Sequence, residues 1–203
     1  MKKALVLCVA LALLAGCARE PAAAPQPQSA AESSAVSAEP AEPAAPDLSD
    51  YPALTERYVD RLLASGAAGR TWSTPFNIGA DALVDYYALH CMEDLGEQAP
   101  AEFPAGEVEE YIGRYFDVDP ASCMRIHVRY DEAANAYRFE GLGATCTAQV
   151  NKASLEDGLL TLDYDVYSPR EDGTVIWSGT VKIRLSPDGG WKYEENEMRY
   201  PLY

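Results

Sequence analysis

The sequence is poor in basic side chains and poorer still in histidine: 16 Lys and Arg stand against 32 Asp and Glu, with 2 His, giving a formal charge of −16. A chain of that balance repels phosphate backbones and anionic headgroups, which argues against nucleic acid as a partner and against adsorption to a lipid surface. It favours basic partners or plain solubility. There is also no apolar run of the roughly 20 residues that a membrane-crossing helix needs. The longest, Ala4 to Ala15, gives way to Arg19 and Glu20 within a few residues. No internal repeat is visible. The glycine-rich pieces at 141–143 and 188–190 lack the strand-to-helix setting and the lysine of a phosphate loop, and the acid pairs Asp117/Asp119 and Asp163/Asp165 lack the glycine-bearing loop of an EF-hand. No segment carries the flanking pattern of a known nucleophile loop.

What the chain does have begins at its start. Lys2 and Lys3 precede the short apolar stretch, which is the order of a charged n-region and an h-region of an export signal. Leu14-Ala15-Gly16-Cys17 then resembles the lipobox of bacterial lipoproteins, in which the cysteine is diacylated and becomes the new N-terminus. The resemblance implies a signal peptide over residues 1–16 and an anchor in the lipid bilayer at Cys17. It places the protein on the outer side of a bacterial cell membrane. Two acyl chains hold a protein on a membrane where one gives only marginal binding. Removing residues 1–16 takes Lys2 and Lys3 and no acid, so the formal charge moves from −16 to −18.

Residues 17–47 combine the anchor with a segment of Ala, Pro, Ser and Glu that has no aromatic residue and only Val36 as a large aliphatic. It cannot build a core and is expected to be a disordered tether spanning about 30 to 90 Å, depending on how extended its prolines keep it. The remaining stretch, 48–203, fits one domain.

Within that domain the hydrophobic period is first helical and then two. Leu54, Tyr58 and Leu62 recur at spacing four behind Pro52; Val84, Tyr87, Ala88, Cys91 and Leu95 share a face over about 80–95; Val108, Tyr111, Ile112, Tyr115 and Phe116 do so before Asp119-Pro120. From Arg125 the pattern alternates. Ile126, Val128 and Tyr130 open a strand that turns through 131–135, and Leu160, Leu162, Tyr164 and Val166, then Val175, Trp177, Val181, Ile183 and Leu185, mark inner faces of later strands. Three helices before about six antiparallel strands predict an α+β fold, with N-terminal helices packed on a curved antiparallel meander sheet. The order is similar to the cystatin-like and nuclear-transport-factor-2-like architectures, and the segments FPAGEVEEYIGRYF and GGWKYEEN resemble a domain of secreted clostridial proteins. Those resemblances imply a fold and no functional residues.

Three cysteines fall in the domain, Cys91, Cys123 and Cys146. An odd number in an oxidising compartment predicts one disulfide with one free thiol, or none, and any pair is open. His90, Cys91, Cys123, His127 and Cys146 do not form a zinc pattern, since neighbouring His90 and Cys91 point about 100° apart on a helix. No metal or other cofactor is expected. Tyrosine is plentiful, at 13 residues beside 3 Trp. Its apolar body and polar tip suit a pocket between helices and sheet for a sugar or peptide, with Tyr86, Tyr87, His90 and Trp177 as candidate lining. The expected function is a non-catalytic binding or interaction module at the cell envelope, meeting a wall component, a peptide or an envelope protein. The alternative is a small cone-shaped α+β hydrolase or lyase using Tyr86, His90 or Asp163.

Overall fold

The computed structural model describes residues 45–96, 100–141, 146–170 and 173–201. The chain divides between Glu39 and Pro40, and everything below concerns the second unit. Leu14, Ala15, Gly16 and Cys17 lie outside the described residues, as does most of the tether.

The first helix, α1, runs in three pieces: α-helical over Tyr51–Leu54, π-helical over Thr55–Val59 and α-helical again over Asp60–Ala64. Asp50 caps it, its carboxylate accepting from the Ala53 N–H at 3.1 Å. Helix α2 covers Ala80–Leu95, α3 Ala105–Tyr115 and the short α4 Pro120–Met124. Gly79 opens α2 at φ 98°, where any Cβ would run into the Arg70 guanidinium. That guanidinium donates to the Ile78 carbonyl at 2.7 Å and pairs with Asp81, fastening the incoming loop to the helix.

The sheet is the expected meander. Strands β4 (Thr147–Glu156), β5 (Leu159–Tyr167), β6 (Val175–Leu185) and β7 (Trp191–Arg199) pair in that order, each antiparallel to the next. Asp157 and Gly158, both at positive φ (50° and 75°), make the two-residue turn between β4 and β5 that their sequence prescribes. The inner face carries Val150, Leu160, Leu162, Tyr164, Val166, Trp177, Val181, Ile183 and Tyr193, all buried against the helices. The outer face is polar. There Asp165 accepts from Ser178 and Asn151, and Asp163 from Thr180, while Lys182 and Arg184 pair with Glu195 and Glu194. Gly179 sits opposite Tyr164 on the inner face, and the Tyr164 ring fills the space a side chain would need.

Two features depart from the alternation read in the sequence. Three short strands, β1 (Glu102–Pro104), β2 (Tyr130–Asp131) and β3 (Ala136–Arg138), form a separate sheet in the order β1-β3-β2 and do not extend the meander. Residues 125–129 are not a strand. They coil after α4 through hydrogen bonds from the His127 N–H to the Met124 carbonyl and from the Tyr130 N–H to the His127 carbonyl, both 3.0 Å. Ile126 and Val128, placed inside by alternation, are 84% and 85% exposed. The arginines flanking them decide the matter: Arg125 is tied to Glu109 on α3, and Arg129 is drawn inward to Asp85 on α2 at 2.6 Å, where the Arg129 and Asp85 side chains are 12% and 14% exposed. Two charge pairs pin the ends of the loop, Arg125 at the surface and Arg129 inward, and leave the aliphatic positions between them outward.

Cys91, Cys123 and Cys146 are all half-buried free thiols, so no disulfide links them. Among the described residues no helix is long and apolar enough to cross a membrane.

Candidate functional site

One side of α1 repeats Ala53, Glu56, Arg57, Asp60, Arg61 and Ala64, which at helical spacing form a stripe. Facing it are Leu89, His90, Met92 and Glu93 from the last half of α2, Tyr111 and Tyr115 from α3, and Trp191 at the head of β7. These four elements enclose an open groove of about 890 Å³. The π turn lies in its wall. A π turn adds one residue to the helical circuit and shifts the side chains that follow, and such turns recur at functional sites. Here the Asp60 N–H reaches back to the Thr55 carbonyl, and the turn spans Glu56 and Arg57 on the groove face.

The groove is banded with rings. His90 stacks on Tyr111 with centroids 4.5 Å apart and planes within 13°, Tyr111 meets Tyr115 at 4.9 Å, and Tyr115 meets Trp191 at 5.1 Å. The Arg57 guanidinium lies 5.1 Å over the Trp191 ring and the same distance from Tyr58. Arg61 forms the floor. It donates to the Tyr111 hydroxyl at 2.6 Å and forks onto both oxygens of Glu93 at 2.6 and 2.5 Å, above the ring of Tyr86. Burial disfavours the Arg61 charge, but the Glu93 carboxylate together with Tyr111 and Tyr86 more than offsets this and holds its pKa above the ordinary range. The Nε of Arg61 is buried without a hydrogen-bond partner; so is the Trp191 indole N–H, which lies near the Tyr193 hydroxyl without bonding it in good geometry. Burial and then the neighbouring Glu56 charge raise the pKa of Asp60. Burial, with Tyr86 and Tyr115 alongside, also pushes the Tyr111 hydroxyl up against the opposing pull of Arg61, so it remains a neutral donor.

Of the residues read as pocket candidates, His90 lines this groove and also an adjoining depression of about 370 Å³. Tyr87 lines the depression alone, its hydroxyl donating to Glu107 at 3.3 Å. Tyr86 is 1% exposed and supports the floor from beneath, edge-on to Phe116 and Tyr193. Trp177 belongs elsewhere. It is buried against Tyr164 on the inner face of the sheet and takes no part in the groove. Sequence reading picked neither Arg57 nor Arg61 nor Trp191 for the site. The only signal for the arginines was their recurrence with Glu56 and Asp60 on one helix face, a pattern that solvated helices share.

Chemically the arrangement offers stacking surfaces, guanidinium donors and carboxylate acceptors. Among the described residues no serine, threonine or cysteine lines the groove, and His90 has ring contacts but no carboxylate partner to orient it. No three His, Cys, Asp or Glu side chains among the described residues converge to hold a metal ion. Asp163 is far from this constellation in role as well, satisfied on the outer sheet face by Thr180 and flanked by Lys152 and Arg199. Compared with family models, curated proteins and solved structures, the chain has no significant match.

Proposed function

We propose that this protein is a non-catalytic binding module, held outside a bacterial membrane by acylated Cys17 and a tether, whose ligand site is the groove between α1, α2, α3 and β7. The single observation that carries the reading is the groove itself: an open cleft of about 890 Å³ with a run of four touching rings and charged side chains of both signs. That combination supplies apolar contact with a few orienting polar groups, which is the composition of ligand sites in general. A lipid anchor with a tether of tens of ångströms would let the groove meet a target away from the bilayer surface.

A photo-crosslinking residue at Met92, on the groove wall, tests the site in cells, with the same residue at Thr161 on the outer sheet face as the control. Adducts from position 92 alone are the expected result, and equal labelling at both positions would sink the proposal. Anchoring has its own test, since Cys17→Ser is expected to move the protein from the membrane fraction to the soluble or secreted fraction. Retention on the membrane would show that the lipid is not what holds it.

A second reading has one observation in its favour. Asp60, with its raised pKa beside Glu56, is a carboxyl poised to keep a proton at higher pH than an ordinary aspartate, as a general acid would. Under that reading Asp60→Asn abolishes turnover while leaving binding intact.

A further inference from the structure

We infer that the ligand of the groove is a neutral saccharide chain, an inference that rests on the groove being the ligand site. Charge comes first. The chain as a whole carries two acids for every base, yet the groove sets Glu56, Asp60 and Glu93 against Arg57 and Arg61 and comes close to cancelling. A site for a polycation in so acidic a molecule would concentrate the acids, and a site for an anion would exclude them. Near-neutrality with both signs present suits a ligand that has no charge but many hydrogen-bonding groups.

The placement of those groups sharpens the point. Glu93 and Arg61 pair with one another, so they give the floor its shape. Among the described residues Glu56, Asp60 and Arg57 have no ion-pair partner, which leaves two carboxylates as acceptors and one guanidinium as a donor along a single wall. Opposite that wall are the rings, with His90, Tyr115 and Trp191 half-buried, each keeping part of its surface open. A pyranose presents an apolar C–H face and a rim of hydroxyls. Its face matches the rings, and its rim matches a wall that both accepts and donates. Tyr111, itself buried, packs against His90 at 4.5 Å and Tyr115 at 4.9 Å, and Tyr115 meets Trp191 at 5.1 Å, so the open parts of His90, Tyr115 and Trp191 are held along one line as stacking positions for successive sugars.

The test is calorimetry on the full chain in detergent with three probes: a tetramer of β-1,4-linked N-acetylglucosamine, a tetramer of β-1,4-linked glucose, and tetralysine. At least one tetrasaccharide is expected to bind and tetralysine is not. Trp191→Ala is expected to weaken that binding about tenfold, the scale of one lost stacking contact. Arg57→Ala, at an exposed position where folding is not at stake, is expected to weaken it several-fold. Tetralysine binding without either sugar overturns the saccharide inference and leaves the groove reading standing. Sugar binding that both variants leave untouched overturns it as well, because the sugar then sits elsewhere. If no probe binds while crosslinks still form from position 92, the ligand class is wrong; if neither occurs, the groove reading falls too.

Discussion

Asn196 shows how much one side chain can hold together. It is 1% exposed, and every polar atom it has is used. Its Oδ1 accepts from the Tyr164 hydroxyl at 2.7 Å, its Nδ2 donates to the Ala68 and Arg70 carbonyls at 3.0 and 2.7 Å, and its backbone exchanges both hydrogen bonds with Trp72. Two stretches of chain more than a hundred residues apart are joined there. Replacing it with alanine leaves the Tyr164 hydroxyl and two carbonyls buried without partners. Asn196→Ala is therefore expected to cost about 2–4 kcal/mol in chemical denaturation, since a buried polar group stripped of its partner loses its full desolvation energy. A cost under about 1 kcal/mol would mean that water reaches the site. In sequence Asn196 hides in the run EENE, where period two from Trp191 and Tyr193 would turn Glu195 inward. A bulge at the Lys182/Ile183 step of the β6–β7 pairing shifts the register and brings Asn196 to the core instead.

At the scale of elements, the open edges of the meander are the point of vulnerability, because an unpaired strand edge invites pairing with another chain. Both are engaged. On β7, the isolated bridges from Trp72 to Asn196 and from Phe116 to Tyr193 occupy the free side. On β4, the Thr55 hydroxyl accepts the Val150 N–H at 2.9 Å while donating to the Tyr51 carbonyl at 2.8 Å, so that the π turn of α1 meets the strand beside its own bulge between Val150 and Lys152. A helical irregularity and a strand irregularity are thus pinned by one threonine. Thr55→Val keeps the shape and removes the acceptor. The expected cost is about 1–3 kcal/mol, with faster amide exchange at Val150 as the diagnostic. Unchanged exchange at that amide would show that the threonine is not what covers the edge. Since the same turn spans Glu56 and Arg57 on the groove wall, the variant is also expected to weaken ligand binding.

For the whole molecule the governing quantity is charge. At −16 the folded state repels itself at neutral pH, and mild acidification relieves that strain. Particular carboxylates set the lower limit. Hydrogen bonding from Arg125, assisted by Tyr137, holds Glu109 below the usual carboxylate range despite its burial; burial pushes Asp81 up, but Arg70 and the backbone N–H groups of Asp81 and Ala82 together outweigh it and the net shift is down. A carboxyl whose folded pKa is depressed stabilises the fold above its ordinary pKa, and that contribution is lost as pH falls through the folded value. Asp60 works in the opposite sense, because its raised pKa makes the fold bind a proton that the unfolded chain would release. Tm is expected to pass through a maximum in mildly acid solution and to fall below about pH 4. Arg125→Ala is expected to flatten the acid limb. An acid limb that Arg125→Ala leaves unchanged would show that Glu109 is not among the groups responsible.

Local chemistry determined a good deal of this protein by itself. Helical spacing marked α1, α2 and α3 with their buried faces, alternation marked β5 and β6, and Asp157-Gly158 fixed a hairpin, because each of these signals depends on neighbours a few residues away. The same locality accounts for the misreadings. Ile126 and Val128 alternate as a strand would, but salt bridges to α3 and α2 pin the flanking Arg125 and Arg129, and the partners of those pairs lie 16 and 44 residues away in sequence. Trp177 and Trp191 are both tryptophans on strands, and only the packing of helices over one end of the sheet puts the second in a groove and the first in the core. Arg57 and Arg61 read as a solvated helix face until Glu93, Tyr111 and Trp191 arrive from three other elements. Periodicity tells which side of an element is apolar. What stands opposite the polar side is decided when elements distant in sequence come together, and the groove is made there.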